Sequence, residues 1–339
     1  MKEQLRKLCQ INGISGREHK VREEILSQIS SYCDDLHVDP LGNIIAFKKG
    51  KKTPKQKLLI SAHMDEVGLI VAGITSDGML RFATVGGIDA RVLVGRSVLV
   101  GDSVPGVIGT KAVHMQSAEE KAKATPVDQL YIDIGAKDKE DALKYVSLGE
   151  SVCFQSEPVE FGNNCLKAKA IDDRFGCALM IQLLQSELPC DLYCSFVVQE
   201  EVGLRGAKVA AHDICPDIAI VLEATTAGDL AGVEELKQVC SLGKGPVIPF
   251  MDRATIYDYD LYQFAMETAK QHHIPCQTKT AVAGGNDAGA FSVSCGGIKT
   301  VSVSVPCRYL HSPCCVINWE DAENSLALVQ AMLERFANE

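Results

Sequence analysis

Five apolar runs in this chain each lead into a histidine or a carboxylate. Leu58–Ala62 leads into His63 and Asp65, which lie two apart and so share one face of a strand. That pairing suits an imidazole that ligates a metal while a neighbouring carboxylate fixes its tautomer. A surface histidine beside an acidic loop reads the same way. Asp172 and Asp173 join a strand to a helix, where acids often serve as simple caps. A carboxylate there also suits a bridge between two cations, with Arg174 balancing charge.

The run from Ser195 ends in the pair Glu200 and Glu201. Adjacent carboxylates repel unless a cation or proton lies between them. Their side chains also diverge, so one can bind metal while the other stays free as a general base. Exposed turn glutamates are the plainer alternative. Ile218–Leu222 ends in Glu223, and Val301–Val305 runs out into a loop carrying Arg308 and His311. Taken together, two histidines and at least three carboxylates make the ligand set of a two-cation site with one bridging carboxylate. No cysteine stands at metal-ligand spacing, so a structural zinc finger does not compete.

The elements that must position these groups fall into two textures. Residues 1–35 read as helical, with Ser15 and Glu18 at capping-box spacing and Val21, Ile25 and Ile29 on one face. Strands are expected at Asn43–Phe47 and Leu58–Ala62. From Leu69 to Phe161 the chain breaks into short β segments punctuated by Gly, Asp and Pro, which suggests a small barrel or sandwich. From Leu166 strands and helices alternate: strands at Leu166–Ile171, Leu192–Gln199, Ile218–Glu223, Thr278–Val282 and Val301–Val305, and helices at Asp173–Leu184, Asp260–His272 and Glu320–Asn338. The expected fold is therefore α/β, a mixed sheet covered by helices on both faces, with an inserted small β-barrel or sandwich. Residues 1–68 plus 164–339 would form the α/β domain and 69–163 the insert. In such sheets ligands bind beyond the carboxyl ends of the strands, where all five sites lie.

The chain has 339 residues, 46% hydrophobic and 23% charged, with a formal net charge of −10. No long Lys/Arg block is present, so nucleic acid and anionic membranes are poor partners. The N-terminal residues lack a signal-peptide pattern, and no apolar stretch reaches membrane-spanning length. The fourteen cysteines are scattered. They read as reduced, mostly buried thiols in a cytoplasmic protein.

With these motifs in order, the chain resembles the tetrahedral (TET) aminopeptidases, a family of glutamyl, leucyl and deblocking enzymes with a di-zinc exopeptidase-like fold. The resemblance rests on His63-Met-Asp-Glu-Val-Gly68, Asp172-Asp-Arg174, Glu200-Glu-Val-Gly203, Gly284-Gly-Asn-Asp-Ala288 and Arg308-Tyr-Leu-His-Ser-Pro313. Tyr131-Ile-Asp-Ile-Gly-Ala136 and Lys244-Gly-Pro246 add to it. It implies that His63, Asp172 and Glu223 bind one divalent metal and Asp172, Glu201 and His311 the other. Zinc or cobalt leads, with manganese also compatible. It further implies that Glu200 is the general base toward a metal-activated water and that Asp65 holds the His63 ring. Peptides would be the substrates, cleaved at the N-terminal residue. The insert would be a dimerisation domain, with dimers assembling into a homo-oligomeric tetrahedral dodecamer.

Three positions depart from the family's commonest pattern: Glu223 where Asp is frequent, Asn286 where Thr is common, and Cys314-Cys315 where an acid often follows. The two thiols leave open a soft-metal contact or oxidation sensitivity, with structural roles favoured. Some relatives carry an endoglucanase label, but a glycosidase needs two carboxylates and no metal. A non-catalytic scaffold would need a broken ligand set, and no position of the set is broken.

Overall fold

The computed structural model describes residues 1–338. Two helices, α1 (Lys2–Gln10) and α2 (His19–Ile29), replace the single helical stretch expected at the N-terminus. The chain turns between them at Gly13, where a Cβ would meet Val21 at 2.7 Å. Ser15 and Glu18 do not form a capping box. The Ser15 hydroxyl donates to Asp65 at 2.6 Å, and Glu18 accepts from the Gly16 and Gln199 amides. Long-range partners took both side chains that local spacing had assigned to a cap.

The hairpin β1 (Asp35–Val38) and β2 (Ile44–Lys48) leads to β3 (Leu58–His63), which is buried along its whole length. Six strands follow: β4 (Gly68–Ile74), β5 (Leu80–Val85), β6 (Ser97–Val100), β7 (Val104–Gly109), β8 (Tyr131–Asp133) and β9 (Ser151–Phe154). They close into an antiparallel barrel in the order β4-β5-β8-β7-β6-β9. Single-turn helices α3 (Ala118–Lys121) and α4 (Lys139–Ala142) lie in its connections. Alternating side chains such as Leu69, Val71, Val98, Val100 and Ile132 fill the barrel, as closure of small twisted strands requires.

Beyond the barrel come β10 (Val159–Phe161), β11 (Cys165–Ala168), α5 (Ile171–Leu184), β12 (Leu192–Val197), α6 (Arg205–Ile214) and β13 (Ile218–Thr226). Then follow β14 (Val247–Ile248), α7 (Tyr259–Gln271), β15 (Gln277–Thr278), α8 (Ala288–Ser292), β16 (Lys299–Cys307), β17 (Cys315–Asn318) and α9 (Trp319–Phe336). The main sheet is eight-stranded and mixed, in the order β1-β2-β12-β3-β13-β16-β14-β15. β12, β3, β13 and β16 run parallel at its centre. β10, β11 and β17 make a separate three-stranded sheet.

Period-two alternation assigns the two faces. Leu58 and Ile60 pack with α1, α2, α5 and α9, whereas Leu59, Ala219 and Val221 pack with α6 and α8. A sheet covered on both sides explains why β3 and β13 read as unbroken apolar runs. The expected strand at Thr278–Val282 is not formed. Only Gln277–Thr278 pairs, and the chain then leaves the sheet as a loop.

The reading of every cysteine as a free thiol is corrected at one pair. Cys215, which caps α6, and Cys295, which follows α8, form a disulfide with Cα atoms 5.8 Å apart. The two helices pack on one sheet face, and a separation of 80 residues carries no sequence signal of that contact. The other twelve cysteines are free. No helix of the described residues is long and apolar enough to cross a membrane.

Arg174 also departs from expectation. It is fully buried and donates to the carbonyls of Met64 (2.7 Å), Leu8 (2.7 Å), Ile11 and Gly13, tying α1 to the sheet instead of balancing the carboxylates beside it. Next to it the Lys169 ammonium sits 2.7 Å from Glu66, both side chains 3% exposed. Without Lys169, Glu66 keeps only the Gly13 amide at 3.0 Å and the Arg174 guanidinium at 3.6 Å, so Lys169→Met should cost about 3 kcal/mol of stability. Urea unfolding checks this, and Lys169→Met combined with Glu66→Leu should recover part of the loss.

Candidate active site

The carboxyl ends of the parallel strands converge at one end of the sheet. His63 is the last residue of β3, and in register it faces Val197, the last residue of β12. Glu200 and Glu201 follow that strand after Val198 and Gln199, and Glu223 lies within β13. Asp172 enters from the start of α5, where neither it nor Asp173 has helical backbone angles. His311 comes from the loop after β16. The structure thus brings together all seven residues singled out from the sequence.

His63 is buried, with Nε2 3.2 Å from Asp172 Oδ1 and 3.5 Å from Glu223 Oε1. His311 Nε2 lies 3.3 Å from Asp172 Oδ2 and 3.4 Å from Glu201 Oε1. Asp172 is therefore shared, one oxygen toward each imidazole. The other ring nitrogens are held from behind. His63 Nδ1 is 3.1 Å from the Asp65 carbonyl and 3.4 Å from its carboxylate. His311 Nδ1 is 2.8 Å from the Gly87 carbonyl. With a proton on each Nδ1, each Nε2 would be free to give its lone pair to a cation held among the acids. Asp65 does more than orient His63, since its carboxylate also accepts from the backbone N–H of Glu200 (3.0 Å) and Glu201 (3.1 Å).

The neighbours Asp172 and Asp173 separate by direction. The Asp173 carboxylate turns back to accept from the Gly176 N–H at 2.9 Å, which is the capping role. Left-handed backbone at Ala170, Gln199, Tyr309 and His311, none of them glycine, flanks three of the site's turns. Such conformations persist where surrounding structure over-determines them, and they cluster at functional sites.

The electrostatics follow from burial of like charges. Burial, and then the Asp172 carboxylate, pushes Glu201 up to about 8. The same two causes drive Glu223 well above the ordinary carboxylate range. Burial likewise raises Glu200 strongly, against the nearby His63 and with help from Asp287 and Glu201. Burial also works to raise Asp172, but hydrogen bonds from His311 and His63 outweigh it and hold that carboxyl below the usual range. Without a counter-charge this cluster needs protons, and cations are the other way to satisfy it.

The residues fit a divalent metal. In His63/Asp172/Glu223 and in Asp172/Glu201/His311, one ligand atom per residue lies within 4.8 Å of the others, and Asp172 belongs to both. His63, Glu200 and Glu201 make a further grouping of the same kind. All donors are nitrogen or oxygen, a set that suits zinc, cobalt or manganese. No cysteine enters these groupings, and Cys315 Sγ donates instead to the Tyr309 and Ser312 carbonyls.

Residues 42–328 match the family model for M42 glutamyl aminopeptidases. The chain belongs to this family. M42 enzymes are metallopeptidases, so this member is an aminopeptidase that hydrolyses peptide bonds. It is 39% identical over 327 residues to a putative aminopeptidase of Acetivibrio thermocellus, covering 96% of each chain. The solved TET aminopeptidase of Thaumarchaeota archaeon SCGC AB-539-E09 is 34% identical, with a TM-score of 0.94 over 98% of this chain and 96% of its own. The TET1 peptidase of Pyrococcus horikoshii, described as able to assemble into a tetrahedron or a large octahedral shell, is 37% identical. Its TM-score is 0.85 over 97% of this chain and 98% of its own.

Beside these groupings lies a cavity of about 510 Å³ lined by Asp172, Glu200, Glu201, Glu223 and His311. Thr225, Thr226, Val239, Lys279 and the Gly284–Asn286 segment also line it. Arg308 holds the loop that carries Val239, through paired contacts of 2.8 and 2.6 Å to Asp229. Sequence reasoning missed two contributors. Gly87 acts through its backbone carbonyl, and Lys279 is a lysine at the end of a two-residue strand. Neither role has a local signature.

Proposed function

We propose that this M42 chain is a two-metal aminopeptidase that removes N-terminal residues from peptides. His63, Asp172 and Glu223 would hold one cation, and Asp172, Glu201 and His311 the other. When bound, the cations supply Lewis acidity toward the scissile carbonyl and make an attacking water more acidic. Glu200 lies beside both groups and takes the proton from that water, then delivers it to the departing amine. Asp65 keeps the His63 ring in place and, through the Glu200 and Glu201 amides, fixes the turn that aims both glutamates. The observation that carries this reading is the pair of ligand triads sharing Asp172 beside Glu200.

A glycosidase would leave both oriented imidazoles without a role. Zinc or cobalt is the proposed metal, with manganese compatible. Residues 1–68 with 164–339 form the catalytic unit in this reading, and 69–163 the dimerisation unit of a tetrahedral dodecamer. Exposed Val107, Val113, Met115, Tyr145 and Leu148 on the inserted segment support that assignment. Twelve free thiols against the single Cys215–Cys295 disulfide favour a cytoplasmic setting, and the acidic net charge disfavours nucleic acid and anionic membranes.

The test uses chromogenic aminoacyl substrates with a measured particle mass. EDTA-treated protein should lose hydrolysis and regain it with zinc, cobalt or manganese. Hydrolysis that survives chelation would sink the reading.

A further inference from the structure

Of the fourteen cysteines only Cys215 and Cys295 are exposed, and they are the two that are bridged. The free thiols are all buried or half-buried. Both bridged residues line a surface cavity of about 680 Å³. Ile218 and Lys299, the first residues of β13 and β16, also line it, so it lies at the amino ends of the parallel strands, away from the ligand groupings. Cys215 and Cys295 hold left-handed backbone, with φ of 44° and 50°. A non-glycine residue keeps such a conformation where surrounding structure over-determines it.

The bridge ties together the far ends of two helices whose near ends flank the cavity beside the ligand groupings. α6 grows out of the Glu200 turn: the Gly203 and Leu204 amides both donate to the Glu200 carbonyl at 2.9 Å, and the Gly206 amide donates to the Val198 carbonyl at 3.0 Å. This helix ends at Cys215. α8 starts directly after Asn286 and Asp287, and the Ala288 amide donates to Asn286 Oδ1 at 2.9 Å. Cys295 follows shortly after α8 ends. Glu200 and Asn286 both line the cavity beside the ligands.

We propose that Cys215–Cys295 is a redox modification site, opened by a small dithiol that enters the cavity at the bridge, and that its state sets how firmly α6 and α8 hold the Glu200 and Asn286 segments. The proposal rests on the reading of Glu200 as general base and adds a control over it. A thiolate of the reductant attacks one bridge sulfur, forming a mixed disulfide and expelling the other cysteine as a thiolate. The reductant's second thiol then displaces the first cysteine. The dithiol gives up two electrons and two protons and leaves as a cyclic disulfide, while Cys215 and Cys295 each end as thiols. The same exchange with a cyclic disulfide runs in reverse and restores the bridge. Disulfides of cytoplasmic proteins, where they occur, are mostly transient and either catalytic or redox-sensing, and exposed bridges are the labile kind. A brace for stability alone would also hold the helices, and a change in turnover separates the two roles.

The test treats metal-loaded protein with reduced dithiothreitol. It follows native iodoacetamide labelling by peptide mass spectrometry, the melting temperature, and kcat/KM on the preferred aminoacyl p-nitroanilide. Cys215 and Cys295 should label before any other cysteine. Opening a bridge that spans 80 residues should lower the melting temperature by roughly 5 °C. It should lower kcat/KM by roughly threefold or more, through misplacement of Glu200. Oxidised dithiothreitol should restore both. Cys215→Ser combined with Cys295→Ser should show the reduced protein's values and ignore dithiothreitol, which separates bridge opening from removal of metal by the reductant. Should that double variant fail to fold, recovery by oxidised dithiothreitol at constant metal content decides in its place. A bridge that resists native reduction, an opened bridge with unchanged kcat/KM, or an equal dithiothreitol-induced loss in the double variant overturns the proposal while leaving the aminopeptidase reading intact. Hydrolysis in neither redox state counts against the aminopeptidase reading. In that event hydrogen exchange decides: faster exchange across 199–205 and 284–290 on reduction supports the coupling, and unchanged exchange rejects it.

Discussion

Asp172→Asn is expected to cost the protein its full complement of metal and to lower kcat/KM by roughly 10³-fold, since several kcal/mol of Lewis-acid stabilisation are lost at 1.36 kcal/mol per decade. Asp172 alone belongs to both the His63/Glu223 and the Glu201/His311 groupings. Its two oxygens face the two imidazoles at 3.2 and 3.3 Å. An amide offers one carbonyl oxygen, so one grouping loses its shared ligand and the other loses negative charge. Asp173→Asn is the control. That side chain accepts from the Gly176 N–H, and burial raises its carboxyl well above the usual range. A neutral, nearly isosteric amide keeps the acceptor, so metal content should stay unchanged. Metal analysis of both proteins together with kcat/KM on one aminoacyl substrate decides the matter. Two equivalents of metal retained by Asp172→Asn would remove its bridging role.

The contrast between these neighbours marks how far the sequence could be read. Sequence pattern located the strand-end acids because a central parallel strand is apolar on both faces. A polar residue closing such a run must then lie at the sheet's end. Glu200, Glu201 and His63 were legible for that reason, whereas Glu223 was legible only as the first acid of its run, since β13 continues past it to Thr226. Which of two adjacent aspartates turns inward is decided by the backbone between β11 and α5, and that is a tertiary matter. The same limit applies to Arg174, whose Nη groups donate to three carbonyls of the N-terminal segment about 160 residues away in sequence. Ser15 and Glu18 show local spacing overruled in the opposite sense, since a motif that fits a cap serves to brace Asp65 and the turn at Gln199. The barrel was legible as a class of structure from its short punctuated strands. Its contribution of the Gly87 carbonyl to His311 was not, because a backbone group carries no residue-type signal. The Cys215–Cys295 bridge fails for the same reason as Arg174: only the packing of α6 beside α8 brings its ends together.

Glu200→Gln should lower kcat by roughly 10²–10⁴-fold, the usual worth of a positioned general base, while metal content and KM change little. Glu200 lies next to the ligand set without belonging to either grouping that shares Asp172, so its proton-transfer role and metal retention are separable. Its backbone N–H is held by Asp65 at 3.0 Å, which fixes the side chain's origin in both proteins. Burial first, then Asp287 and Glu201, raises its carboxyl against the pull of His63. That is the direction a base needs in order to hold a proton briefly near neutral pH. Glutamine preserves the shape and can still donate or accept a hydrogen bond, but it cannot accept a proton from the attacking water. Glu201→Gln should behave differently, because Glu201 faces His311 within a ligand grouping. Its loss should appear first as weakened metal binding, partly rescued by excess metal. Equal sensitivity of Glu200→Gln and Glu201→Gln to added metal would mean that both are ligands. The proton would then have to be moved by another group, and Asp287, raised to about 7 chiefly by burial, is the alternative to test.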